Sequence, residues 1–173
     1  MLTVWTVGHS TRSAEEFAEI LKAHGIQVLV DVRMFPGSRR YPQFNKAALS
    51  ESLERLGIHY KHEPRLGGRR APRADSHNTA WRNAQFRAYA DHMESDEFRN
   101  AVKELLHLAG GTRTAVMCAE AVWWRCHRSM ISDYLKAAGH TVIHIINETK
   151  TEEHPFTSAA RIVDGELSYR GLL

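Results

Sequence analysis

An α/β fold built on a mostly parallel sheet is predicted by three observations. Short apolar runs alternate with amphipathic stretches along the chain, the amphipathic stretches end at or near glycine, and polar clusters follow the apolar runs. That alternation predicts a sheet of about four to five strands with helices on both faces and a short C-terminal hairpin. The 173 residues, 43% hydrophobic and 25% charged, suit a single domain over residues 1–173 with a substantial core.

Leu2 to Val7 reads as the first buried strand, followed by the polar loop Gly8-His9-Ser10-Thr11-Arg12. Ser13 with Glu16 three positions on forms a capping box, and Phe17, Ile20 and Leu21 mark the inner face of a helix that ends at Gly25. Gln27 to Val32 is the second strand. Alternation places Asp31 and Arg33 at its end on one face, as neighbours. The stretch Phe35 to Pro42 is too rich in Pro, Gly and Arg for regular structure and reads as an active-site flap. Asn45 is set to cap the next helix, with Leu49, Leu53 and Leu56 inward and Gly57 after it.

Ile58 to His62 alternates weakly, as a third strand, and Leu66 to Arg73 is a second basic loop. From Asn83 a helix presents Phe86, Tyr89 and Met93, at the spacing of a core stripe, and Asp96 to Leu108 is amphipathic with Phe98, Val102, Leu105 and Leu106 inward. Gly110-Gly111 then leads into the strand Thr114 to Met117. A helix starting near Cys126 or His127 carries Met130, Ile131, Tyr134 and Leu135 and stops at Gly139. Thr141 to Ile146 is a further strand, and Arg161 to Tyr169, with Asp164-Gly165 at its turn, reads as the hairpin.

The candidate chemistry centres on Cys118, Glu120, Cys126 and His127, between that central strand and the helix after it. In open α/β sheets ligands bind outside the carboxyl ends of the strands, and Cys118 and Glu120 stand there. Cys126 falls at a helix start, where the helix dipole and Arg125, His127 and Arg128 favour thiolate over thiol. Around these four catalytic candidates the ligand-binding candidates are His9, Ser10, Asp31, Arg33, Ser38, Arg39, Arg69 and Arg128, and no metal ligand set is assigned. A cysteine packed as a small apolar group is the competing explanation for either thiol.

Net charge is only +3, but between Arg33 and Arg73 ten basic residues face three carboxylates, Glu51, Glu54 and Glu63. This predicts an anionic or phosphate-bearing ligand and leaves nucleic acid open as a partner. No apolar run approaches a membrane span, and the N-terminal residues lack the pattern of a secretory signal, so a cytoplasmic location without membrane attachment is expected. Two cysteines make no disulfide framework. The oligomeric state and any cofactor are unassigned.

Thr6-Val7-Gly8-His9-Ser10, Asp31-Val32-Arg33, Pro36 with Ser38, Leu66-Gly67-Gly68, Cys118-Ala119-Glu120 and Cys126-His127-Arg128 together resemble the bacterial domain-of-unknown-function family 488. The resemblance runs nearly end to end. It implies a small cytoplasmic α/β domain with a polar pocket around these motifs, and it implies no particular reaction.

Three classes of function fit the residues. The first is a cysteine-dependent hydrolase or transferase acting on a nucleotide, nucleic acid or other phosphate-bearing molecule, with Glu120 and His127 moving protons and Trp123 or Trp124 stacking on a base. Six residues separate Cys118 from Arg125, not the five of phosphotyrosine-type hydrolases. The second is a two-cysteine redox or metal-binding protein, weakened by the lack of a C-x-x-C spacing. The third is a non-catalytic module binding nucleic acid or another anion through its basic loops.

Overall fold

The computed structural model describes residues 1–171. Among them the elements run β1 (Thr3–Gly8), α1 (Ala14–Ala23), β2 (Val28–Asp31), α2 (Lys46–Glu54), β3 (His59–His62), α3 (Ala84–His92), α4 (Asp96–Gly111), β4 (Thr114–Cys118), α5 (Arg128–Ala137), β5 (Thr141–Ile145), β6 (Thr151–Glu153), β7 (Arg161–Val163) and β8 (Glu166–Ser168). The sheet has the order β3-β2-β4-β1-β5-β6. The first five strands pair in parallel and β6 runs antiparallel at the edge, so the α/β class and the hairpin β7–β8 are as expected.

Strand alternation divides the core. Leu29, Ala115 and Met117 face α1 and α2, which contribute Phe17, Ile20, Leu21, Leu49 and Leu53. Val28, Val30 and Val116 face the other way, onto Tyr89, Phe98, Val102, Leu105, Met130, Ile131 and Leu135 of α3, α4 and α5. Each fully buried leucine contributes about 1.5–3 kcal/mol, so these positions decide which helix face turns inward. The capping box of α1 forms, Ser13 Oγ accepting from the Glu16 N–H while Glu16 accepts from the Ser13 N–H.

Four details depart from expectation. The sheet has a sixth strand, β6, whose Thr151-Glu152-Glu153 carries no apolar signal because it is an exposed edge. Helix α4 continues through Gly110-Gly111 instead of ending before them. Leu56 lies beyond α2 and is 41% exposed. Asn45 stands at the start of α2 but makes no side-chain cap; its Oδ1 accepts from the Ser38 N–H at 2.6 Å instead, tying the flap to the helix.

Adjacent strands β1 and β4 feed α1 and α5, which pack on opposite faces of the sheet. The chain therefore parts at their carboxyl ends, which is where a crevice opens in such folds. Pairing continues past the strands: the His9 and Ser10 N–H groups donate to the carbonyls of Cys118 and Ala119, both at 3.0 Å. Gly8 permits that approach, since a β-carbon there would lie 1.7 Å from the Glu120 carbonyl oxygen. Its role is close packing of two backbones.

Candidate functional site

A cleft of about 790 Å³ opens beside the ends of β2 and β4, and its lining includes Arg33, Phe35, Gly68, Arg69, Arg70, Tyr89, Cys118, Glu120, Arg125, Cys126 and His127. Six residues expected at the site thus meet there: Arg33, Arg69, Cys118, Glu120, Cys126 and His127. A smaller cavity, about 390 Å³, lies between α3, α5 and the hairpin and holds none of the expected residues.

Cys118 ends β4, and Cys126 precedes the first turn of α5 in extended conformation, with its carbonyl accepting from the Ser129 N–H at 3.0 Å. Both thiols are buried and free. Cys118 Sγ donates to the Glu120 carbonyl at 3.7 Å and Cys126 Sγ lies 3.4 Å from His127 Nδ1, and these surroundings drive the two thiols apart. Burial pushes the Cys118 thiol well above its usual value, and its hydrogen bond to Cys126 adds to that. For Cys126 burial acts in the same sense, yet the hydrogen bond from Cys118 and the charge and N–H groups of Arg128 outweigh it, and the thiol is lowered. The helix begins at Arg128 with His127 at its cap, so Cys126 stands just before the start expected for it, and the lowering comes from Cys118 and Arg128.

His127 supplies the acceptor. The Val32 carbonyl can only accept, so the ring nitrogen facing it at 3.1 Å, Nε2, carries the proton. Nδ1 then presents its lone pair to the Cys126 sulfur at 3.4 Å. Burial lowers the His127 pKa and keeps the ring neutral, ready to take a proton. Tyr89 backs the ring, centroid to centroid 5.0 Å, and donates its hydroxyl to the Leu66 carbonyl.

Arg128 lies beneath the cleft, 1% exposed. It donates from Nη2 to the carbonyls of Glu120 (2.8 Å) and Ala121 (3.3 Å) and from Nη1 to Thr6 Oγ1 (3.1 Å). Among the described residues no carboxylate pairs with it, and its Nε has no hydrogen-bond partner. A buried guanidinium without a carboxylate clamps the loop and turns its charge to Cys126; it is not placed to grip a ligand.

The other expected ligand-binding residues stand outside the cleft lining. His9 is buried, its ring stacked 4.3 Å from Phe44, with Nδ1 donating to the Ser10 carbonyl and Nε2 facing an Arg33 N–H. Burial lowers its pKa to about 4. Ser10 turns the chain with φ 54. Asp31 is wholly buried and takes Arg33 through both oxygens, at 2.9 and 2.8 Å, as strand alternation implied, while also accepting the Tyr60 hydroxyl at 2.5 Å. Ser38 Oγ accepts from the N–H groups of Arg40 and Tyr41, shaping the flap, and Arg39 is exposed.

Much of the local basic excess is matched by carboxylates from outside the window: Asp31 for Arg33, Glu104 for Arg65, Glu97 for Arg70 and Asp91 for Arg73. Arg69 has no ion pair among the described residues and lies over the Phe35 ring at 5.9 Å. Trp123 is buried, stacked on His144 at 4.6 Å, while Trp124 is 54% exposed. Phe35, Arg70 and Arg125 were not among the expected ligand contacts; Phe35 and Arg70 lie in the two loops read as flap and basic loop. Among the described residues no group of three or more His, Cys, Asp or Glu is arranged to hold a metal, and no helix is long and apolar enough to cross a membrane.

Residues 13–135 match the family described as domain of unknown function DUF488. The chain belongs to that family. The matched span takes in β2, β4, both cysteines and His127, but leaves out Thr6 to Ser10 and the C-terminal hairpin, so the DUF488 match is shorter than the nearly end-to-end resemblance expected from the motifs. No curated protein and no solved structure matches the chain.

Proposed function

We propose that this DUF488 protein is a thiol-dependent enzyme, a hydrolase or transferase, acting on a phosphate-bearing substrate in the cleft, with Cys126 as nucleophile. The observation that carries the reading is the Cys126 sulfur 3.4 Å from the unprotonated Nδ1 of His127, beside a buried Arg128 whose charge lowers the thiol. That surrounding activates a thiol; a packing cysteine has no use for it.

The cleft also favours an anion. Arg69, Arg70 and Arg125 line it with Glu120 as the one carboxylate, and Phe35, 69% exposed, offers a flat apolar face beside Arg69. Charge plus a ring face suits a nucleotide. The Cys126 sulfur forms a bond to the electrophilic centre as that centre's bond to its leaving group breaks. Nδ1 of His127 takes the thiol proton as the sulfur attacks and passes it to the leaving group. Glu120 then deprotonates the second nucleophile, water in a hydrolase or another substrate in a transferase, which cleaves the intermediate and frees the thiolate.

The test is the pH dependence of iodoacetamide labelling at each cysteine, read by mass spectrometry on native protein with and without pyrophosphate. Cys126 is expected to label with an apparent pKa below the free-thiol value of about 8.5 and to be shielded by pyrophosphate, while Cys118 stays inert until the protein unfolds. If both are inert in the native protein, the nucleophile reading fails. The remaining alternative is then an anion-binding module, recognised by oligonucleotide retention that falls steeply with salt.

A further inference from the structure

A buried hydrogen-bonded chain leads away from Arg128 to a carboxylate that plays no part in the cleft. Arg128 Nη1 donates to Thr6 Oγ1 at 3.1 Å, and Thr6 Oγ1 lies 2.5 Å from His144 Nδ1. His144 Nε2 is 2.8 Å from His154 Nδ1, and His154 Nε2 is 2.8 Å from Asp133 Oδ1. Thr6, Arg128, Asp133, His144 and His154 are each at most 1% exposed. Trp123 lies flat over the His144 ring, the two planes 7° apart, and seals the chain from above.

The acceptors at the far end fix the direction. A carboxylate accepts, so His154 donates from Nε2; with both rings neutral its Nδ1 is the acceptor, His144 donates from Nε2 and accepts at Nδ1 from the Thr6 hydroxyl, and Thr6 accepts from Arg128. Every link is satisfied with both imidazoles neutral, and burial keeps His144 deprotonated. One end of the chain is a guanidinium without a paired carboxylate. At the other end Asp133 has no Arg or Lys partner among the described residues, only His154, the Thr157 hydroxyl and N–H, and the Tyr169 hydroxyl. The two charges sit on one helix, five positions apart, and are joined by side chains from β1, β5 and the segment after β6.

We propose that Asp133 is the remote counter-charge of Arg128 and that the chain divides the guanidinium's charge between Asp133 on one side and the Cys126 sulfur on the other. Asp133 is then a positioning residue for the thiol chemistry, and the inference rests on the thiolate reading of Cys126. The groups facing Cys126 are Cys118 from β4, His127 and Arg128 at the start of α5 and Tyr89 from α3, with Arg70 of the basic loop acting on Tyr89 and His127. Asp133 hydrogen-bonds to none of them, and the hydrogen-bonded chain to Arg128 is what connects it to the site.

The sign separates this role from a structural one. Removing the Asp133 charge leaves Cys126 as the one anion near Arg128, so Asp133→Asn favours the thiolate further. At a pH below the wild-type midpoint Cys126 should label about three- to tenfold faster, a fall of about half to one pKa unit. Mere loosening of the core would admit water and move the thiol the other way, toward the free value. A folded Asp133→Asn protein whose Cys126 profile is unchanged, or moved upward, overturns the proposal.

A measurement on the intact protein covers the case in which that variant does not fold. Nitrogen-15 NMR of the wild type should show His144 and His154 both neutral and protonated on Nε2, with their shifts moving as pH crosses the Cys126 midpoint. The movement should vanish in Cys126→Ser. Another tautomer, or shifts that ignore the Cys126 titration, overturns the chain even where Cys126 is a thiolate. An ordinary Cys126 midpoint in the wild type is the different failure: it removes the thiolate reading, and this inference falls with it.

Discussion

A β-carbon on Gly68 would lie 2.5 Å from Nδ1 of His127, so the glycine of the basic loop is packed against the face of the imidazole that serves Cys126. Such a contact fixes the ring from above while the Val32 carbonyl fixes it from the side. Gly68→Ala must push the ring or the loop aside. The expected cost is about 1–3 kcal/mol in stability, the range of overpacking, together with slower Cys126 labelling at neutral pH as Nδ1 leaves the sulfur. Denaturant unfolding and the labelling profile measure the two effects separately. A variant with wild-type labelling would mean that the loop, not the ring, gives way to the new methyl.

Asp31 carries two partners, and the two can be separated by mutation. Asp31→Asn leaves Arg33, which is mostly buried, without its bidentate anion, and breaking such a pair costs about 3–5 kcal/mol. Tyr60→Phe removes one hydroxyl donor to the same carboxylate, and a loss of about 1–3 kcal/mol follows from leaving an acceptor short. Equilibrium unfolding of the two variants should rank them in that order. Equal losses would mean that the tyrosine, not the arginine, is what Asp31 holds.

Gly8 allows no side chain at all. The atom a β-carbon would strike, at 1.7 Å, is the Glu120 carbonyl oxygen, which Arg128 also holds. Backbone cannot swing aside as the end of a flexible side chain can, so Gly8→Ala should separate the ends of β1 and β4. A loss above about 3 kcal/mol is expected, with Cys118 becoming open to iodoacetamide. If Cys118 stays inert in a folded Gly8→Ala protein, the loop has another support than this contact.

The helices and buried strands were legible because their signals are local. The Ser13 capping box, the β-branched residues of β2 and β5 and the Asp164-Gly165 turn, with φ 52 and 79, each declare themselves within a few residues. Strand β6 could not be read, since three exposed polar residues pair there only because β5 offers an edge. The site divides in the same way. Cys118, Cys126 and His127 are close in sequence and come together, whereas the loads on Arg128 and His9 depend on Thr6, His144, Phe44 and Arg33, brought in by strand pairing. The partners of the basic stretch were illegible for the same reason: a window along the chain does not contain Glu97 or Glu104, which meet it from α4.

Acid should destabilise the protein through its buried histidines, and His9 allows the sign to be worked out. Its pKa falls from 6.5 unfolded to about 4 folded, burial being the largest cause. Between those values the unfolded chain binds the proton and the folded protein does not, so stability is intact above about pH 7 and drains as pH falls toward 4. At pH 5 this one group costs about 2 kcal/mol relative to neutral pH. The Arg33 N–H facing Nε2 requires that nitrogen unprotonated, whereas the Ser10 carbonyl accepting from Nδ1 favours the cation and only partly offsets burial. His9→Gln cannot take up the proton. Denaturant unfolding at pH 7 and pH 5 should therefore show a smaller acid loss in His9→Gln than in the wild type, by about that amount, even if the variant starts less stable. Parallel losses in the two proteins would place the acid sensitivity elsewhere, with His144 the next group to examine, since burial drives its pKa down as well.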